Sequence, residues 1–126
     1  MVAVRPDRVE SYVADSDLRT KMYLCMIRES DGNVDVSGLN GRVIGVLQNN
    51  PNISEAASVA QSGSSRCVSD GSGTAIVVGD ALKSDASGRA IKAATDKDHV
   101  FGHAMDPSTA AGTIIGVDLM LYDLAV

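Results

Sequence analysis

Aromatic side chains are nearly absent. The chain of 126 residues has no Trp, a single Phe (Phe101) and three Tyr. Its core therefore has to be built from Val, Ile, Leu, Ala and Met. The scarcity of flat rings also counts against a sugar-binding platform. Basic runs are absent too: 11 Lys and Arg face 16 Asp and Glu, for a net charge of −5 and a pI near 4.8. A protein that tracks nucleic-acid phosphates needs a basic stripe, so that class is excluded. No segment approaches the ~18 apolar residues of a membrane-spanning helix. The first residues, Met1-Val2-Ala3-Val4-Arg5-Pro6-Asp7, hold no long apolar stretch, so a soluble protein made without a signal peptide is expected.

Cysteine is scarce, with Cys25 and Cys67 each inside a short apolar segment. The sequence favours two free, buried thiols that act as small apolar residues. A disulfide is the second option, disfavoured by the lack of a secretory context.

What is present is a pattern of short β-like segments separated by turns. Twelve glycines and many Ser and Asp residues supply the turns. The central segment is Val43-Ile44-Gly45-Val46-Leu47, followed by a polar turn holding Pro51. A second copy follows as Val100-Phe101-Gly102-His103-Ala104, then Asp106-Pro107. Gly45 and Gly102 lie 57 apart, Pro51 and Pro107 lie 56 apart, and Asp31-Gly32 and Ser87-Gly88 mark a turn upstream of each copy. This weak internal duplication is too short for a solenoid and fits two related β-units closing on one core.

Strands are expected over Lys21–Arg28, Val34–Val36, Val43–Leu47, Ala57–Ala60, Arg66–Ser69, Thr74–Val78, Ala81–Lys83, Arg89–Ala93, Val100–Ala104 and Thr113–Tyr122. Gln61–Ser65 reads as a loop. Gly45, Gly102 and Gly116 fall within strands, where glycine marks a bulge or a bend. With turns at this spacing and no capped run of helical period, the sequence predicts an all-β fold, a small barrel or sandwich of short antiparallel strands. Residues 1–20 read as an extended N-terminal arm outside the domain at 21–122, and 123–126 as a short tail.

The search for chemistry returns nothing specific. His99 and His103 are the only histidines. In a strand they would share a face but stand ~13 Å apart, too far to share a metal ion. Asp31, Asn33 and Asp35 imitate the start of a calcium loop, but the twelfth position is Arg42 rather than a bidentate Glu. Gly71-Ser72-Gly73 lacks the third glycine of a dinucleotide loop, and no Walker loop or nucleophile elbow occurs. No catalytic residue, cofactor or metal is therefore expected.

Three pieces of sequence, in order, carry a resemblance. They are Gly41-Arg42-Val43-Ile44-Gly45-Val46-Leu47, then Gly79-Asp80-Ala81-Leu82 through Gly88-Arg89, then Val100-Phe101-Gly102-His103-Ala104 with Ala111-Gly112-Thr113-Ile114-Ile115-Gly116-Val117. Singly each is ordinary strand and turn text. Their order and spacing, over residues 21–122, resemble the small capsid cement, or head decoration, proteins of tailed bacteriophages. The resemblance implies a non-enzymatic all-β protein, made in the host cytoplasm and carried on the outer surface of the virion. There it would bridge neighbouring major capsid protein subunits of an expanded icosahedral head. Self-association as a dimer or a trimer is implied, with no membrane or nucleic-acid partner. From their place at the chain ends, Val2, Val4, Arg5, Arg8, Leu124 and Val126 are the expected contact residues. Two other classes stay open: a receptor- or glycan-binding β-domain of a phage tail or fibre, and a small β-barrel hydrolase that gathers His99 or His103 with a carboxylate and a serine.

Overall fold

In a computed structural model, which describes residues 2–126, the chain forms nine strands and, among the described residues, no helix. The strands are β1 (Pro6–Val13), β2 (Cys25–Arg28), β3 (Val34–Val36), β4 (Gly45–Leu47), β5 (Ala56–Asp70), β6 (Ala81–Ser84), β7 (Ala90–Lys92), β8 (His99–Ala104) and β9 (Ala111–Asp123). The fold is all-β, as the turn spacing requires.

The pairings turn the weak duplication into a structural one. Hairpin β2–β3 sets Met26 opposite Val36, and hairpin β6–β7 sets Leu82 opposite Lys92, the same register 56 residues on. The two tight turns match as well. Gly32 N donates to Glu29 O and Glu29 N to Asn33 O; Gly88 N donates to Asp85 O and Asp85 N to Arg89 O. Both turn glycines have the positive φ that such a turn requires, 89° and 79°. Outside each hairpin the next pairs are Cys25–Val46 and Ala81–His103, then Val46–Ala60 and His103–Asp118. At the far side, β1 lies against the first half of β5 (Tyr12–Ala57, Val13–Ala56) as the second half of β5 lies against β9 (Val68–Ile114, Ser69–Thr113). Each unit also curls on itself through a parallel contact, Ala14–Val34 in the first and Ser69–Ala90 in the second.

The molecule is thus one five-stranded unit written twice. β5 is shared: its first half is an inner strand of unit one and its second half opens unit two. Segment 61–65, expected as a loop, is the middle of this strand. Gly63, at φ 79°, lies where β5 passes from one unit to the other. A side chain there would strike the backbone of Arg5 and Asp7. Ser65 is buried at the crossing and is satisfied by Gln48 Nε2 at 2.8 Å.

Three further expectations give way to tertiary context. Lys21–Leu24 is a turn leading into β2 rather than the start of the strand. Thr74–Val78 is not a named strand: Ile76 alone is buried, bridging to Ser108, while Val77 and Val78 are exposed. Residues 6–20, read as lying outside the domain, supply β1 and two buried side chains, Ala14 and Leu18. Met1 lies outside the described residues.

Instead of one core there are two clusters. Ala14, Leu18, Met26, Val34, Leu47, Ala57 and Val59 fill unit one. A larger cluster around Phe101, Leu82, Ile115 and Val117 fills unit two and reaches across the seam to Cys25, Val46 and Ala60 of unit one. Full burial of each large aliphatic side chain contributes roughly 1.5–3 kcal/mol. A single five-stranded unit could bury few of them, so doubling the unit supplies the core that the scarcity of aromatics withholds.

Candidate docking surface

Two regions hold the residues that the sequence singles out. The first is the N-terminal segment, which lies on the protein's own β5 and β9. Val2 N donates to Asp106 Oδ1 (3.1 Å), and Gly116 N donates to Asp106 Oδ2 (2.7 Å), so one carboxylate ties the segment to β9. The side chains of Val2 and Val4 stand over Gly116, whose lack of a Cβ makes room for them. Arg5 N donates to Ser64 Oγ (2.7 Å), and Ser64 N donates to Arg5 O (3.0 Å). Arg5 and Arg8 are exposed, and Arg8 pairs with Glu10 at 2.9 Å.

The second region is the C-terminal end. Leu124 N donates to Asp98 O, and Leu124 O accepts from Lys97 N. Val126 N donates to Asp96 Oδ1 (3.3 Å), while the Val126 side chain is 81% exposed. Next to it opens a cleft of about 270 Å³ lined by Arg42 to Ile44, His99, Val100 and Leu121 to Asp123. Asp123 receives His99 Nδ1 at 2.8 Å and Arg42 Nη1 at 3.4 Å. The His99 hydrogen bond, joined by Arg42, holds its carboxyl below the usual carboxylate range. Asn40 Oδ1 accepts from His99 N (2.8 Å), which brings the loop bearing exposed Leu39 to the same end of the molecule.

The structure therefore gathers Leu124 and Val126, and separately Val2, Val4 and Arg5, but does not join the two sets. Gly116 and Asp123 are seven residues apart along β9, or ~23 Å. Sequence reasoning missed Leu39, Arg42 and Leu121 at the C-terminal end. Leu39 and Arg42 are some eighty residues from Leu121 in the chain, and the Asn40–His99 and Arg42–Asp123 hydrogen bonds bring them to the same end.

Among the described residues, neither histidine ring hydrogen-bonds to a serine. His99 is held by Asp123, and His103 Nε2 meets Tyr122 Oη at 2.7 Å with the two rings stacked. A second cleft, near Asp70, Thr74 and Lys92, contains no histidine. Asp35 does not join Asp31 and Asn33 in a calcium loop. Instead its carboxylate lies within 4.8 Å of those of Asp15 and Glu29, while accepting from Ser16 Oγ and Val36 N.

A polar network fixes the loop beneath the C-terminal end. Asp98 is buried and accepts from Lys83 Nζ (3.0 Å), Thr95 N (3.0 Å) and Ala94 N (3.2 Å). Burial pushes its carboxyl up, but the Thr95 and Lys83 hydrogen bonds together outweigh it and leave the value lowered.

The family model for phage cement proteins matches residues 30–119, and the chain belongs to that family. No curated protein matches the sequence. Among solved structures, the N base of the head fibre gp8.5 of bacteriophage phi29 is similar, with a TM-score of 0.68 over 94% of this chain and 100% of that one. At 17% identity this is a likeness of fold. The cement family implies a structural, virion-associated role rather than catalysis.

Proposed function

We propose that the protein binds the outer surface of an expanded icosahedral phage head and bridges neighbouring major capsid protein subunits, stabilising the shell without catalysis. The observation that carries this reading is membership of the cement family across residues 30–119. That matched segment stops short of every residue expected to touch the shell: Val2, Val4, Arg5, Arg8, Leu124 and Val126. The exposed Leu39 and Leu121 extend the C-terminal contact. The net charge of −5 favours approach to a basic patch of the shell by electrostatic steering. Copies associate with one another on the shell as dimers or trimers, and repetition makes modest individual contacts strong together.

The test is co-sedimentation of the purified protein with expanded, undecorated heads of its own phage, beside unexpanded heads. Saturable binding to expanded heads alone is expected, and the copy number at saturation identifies the symmetry site. Failure to bind either form would transfer the protein to a tail or fibre, where receptor binding becomes the reading to pursue.

A further inference from the structure

Cys25 and Cys67 are 42 residues apart in sequence, yet their sulfurs stand 3.9 Å apart, and neither residue has any exposed surface. Cys25 opens β2 of unit one, and Cys67 lies in the half of β5 that belongs to unit two. The pair thus sits on the seam between the units. The surrounding backbone is tied on both sides: Cys25 N donates to Gly88 O at the tip of the second hairpin, and Val68 N donates to Tyr23 O (2.8 and 2.9 Å). The repeat itself does not call for cysteine at these places. The counterpart of Cys25 is Ala81 in β6, and that of Cys67 is Ser11 in β1. Thiols therefore occur only where the two units meet.

We infer that Cys25 and Cys67 form a latent cross-link, which a small-molecule disulfide oxidises in the folded protein to an intramolecular disulfide stapling unit one to unit two. One thiol gives up its proton and attacks the small disulfide, breaking its S–S bond and releasing one small thiolate. The second, also deprotonated, attacks the protein-bound sulfur of the mixed disulfide and releases the other. Two electrons pass from the protein sulfurs to the small molecule, and two protons pass to the released thiolates. Bond formation brings the sulfurs from 3.9 Å to about 2 Å. Burial pushes the Cys25 thiol well above its ordinary value, and contact with Cys67 adds to this. The reduced pair is therefore inert until the seam opens briefly, and attack is slow. Closing the loop between the two residues removes freedom from the unfolded chain and so raises stability.

The experiment uses the unmodified full chain, so no variant's ability to fold enters. The reduced protein is incubated with glutathione disulfide without denaturant, quenched in acid, and its thiols are titrated after unfolding. The expected product has lost two hydrogen atoms, has no titratable thiol, keeps the mass of one chain, and yields a cross-linked peptide holding Cys25 and Cys67. Its urea unfolding midpoint lies above that of the reduced sample. Two surviving thiols, glutathione adducts, chain-to-chain disulfides, or an unraised midpoint would each overturn the inference. No capsid enters the assay, so its outcome is independent of the cement reading.

Discussion

Gly45 and Gly102 show how much a single position decides. A Cβ at Gly45 would meet Ala60 O and the Val59 side chain; one at Gly102 would meet Asp118 O and the Val117 side chain. These are matching atoms in the two units. The central strands approach their neighbours so closely that only glycine fits. Replacing Gly102→Ala is expected to destabilise by about 2 kcal/mol in urea unfolding, through displacement of β9. Gly73→Ala, with nothing within 4 Å of the added carbon, is the control and should change stability by less than about 0.5 kcal/mol. A second residue-scale test concerns Asp98. Its folded value is lowered, so the stability it contributes is present in full above its ordinary range and is lost as pH falls below about 4. Asp98→Asn leaves Lys83 without its carboxylate and should cost about 2 kcal/mol at pH 7. The gap between wild type and variant should narrow in acid, which unfolding curves at several pH values would reveal.

At the scale of elements, the chain ends part company. Residues 2–5 touch β5 and β9 through a few hydrogen bonds, whereas residues 6–18 supply β1 and the buried Ala14 and Leu18. Truncation after residue 5 should leave the melting transition nearly unmoved and weaken binding to expanded heads. Truncation after residue 18 should abolish the cooperative melt, since loss of Leu18 alone amounts to about 2–5 kcal/mol. Circular dichroism melts of both truncations check this. The same elements show what was legible in the sequence. The repeat was visible in Gly45 and Gly102 and in the two turns, because glycine requirements and hairpin chemistry are local. The length of β5 was not. Gln61-Ser62-Gly63-Ser64-Ser65 has the composition of a loop and is held extended only by β1 and β9 on its two halves. Thr74–Val78 failed the other way: its β-branched residues have high strand propensity, but no neighbouring strand offers it a full ladder. β1 carries too few apolar residues to announce itself. At the C-terminal end, Leu124 and Val126 were expected by position alone, whereas the meeting of Arg42 with Asp123 depends on the tertiary fold and leaves no local sign in the sequence.

For the whole molecule, two units joined through one shared strand make a body with widely separated ends. The N-terminal segment crosses the middle of β9, and the tail leaves from its far end. A protein that clamps neighbouring subunits needs contacts set apart in this way, and this geometry requires neither a catalytic group nor a cofactor. Membership of the cement family supports a capsid cement role, and in the bridging proposed above the doubled unit would serve as the spacer between the proposed contacts. The measurement closest to that claim is the temperature at which DNA-filled expanded heads break open, with and without saturating protein. The temperature should rise with occupancy and level off when the sites are full. An unchanged temperature at full occupancy would contradict the claim, because the protein would then decorate the shell without cementing it.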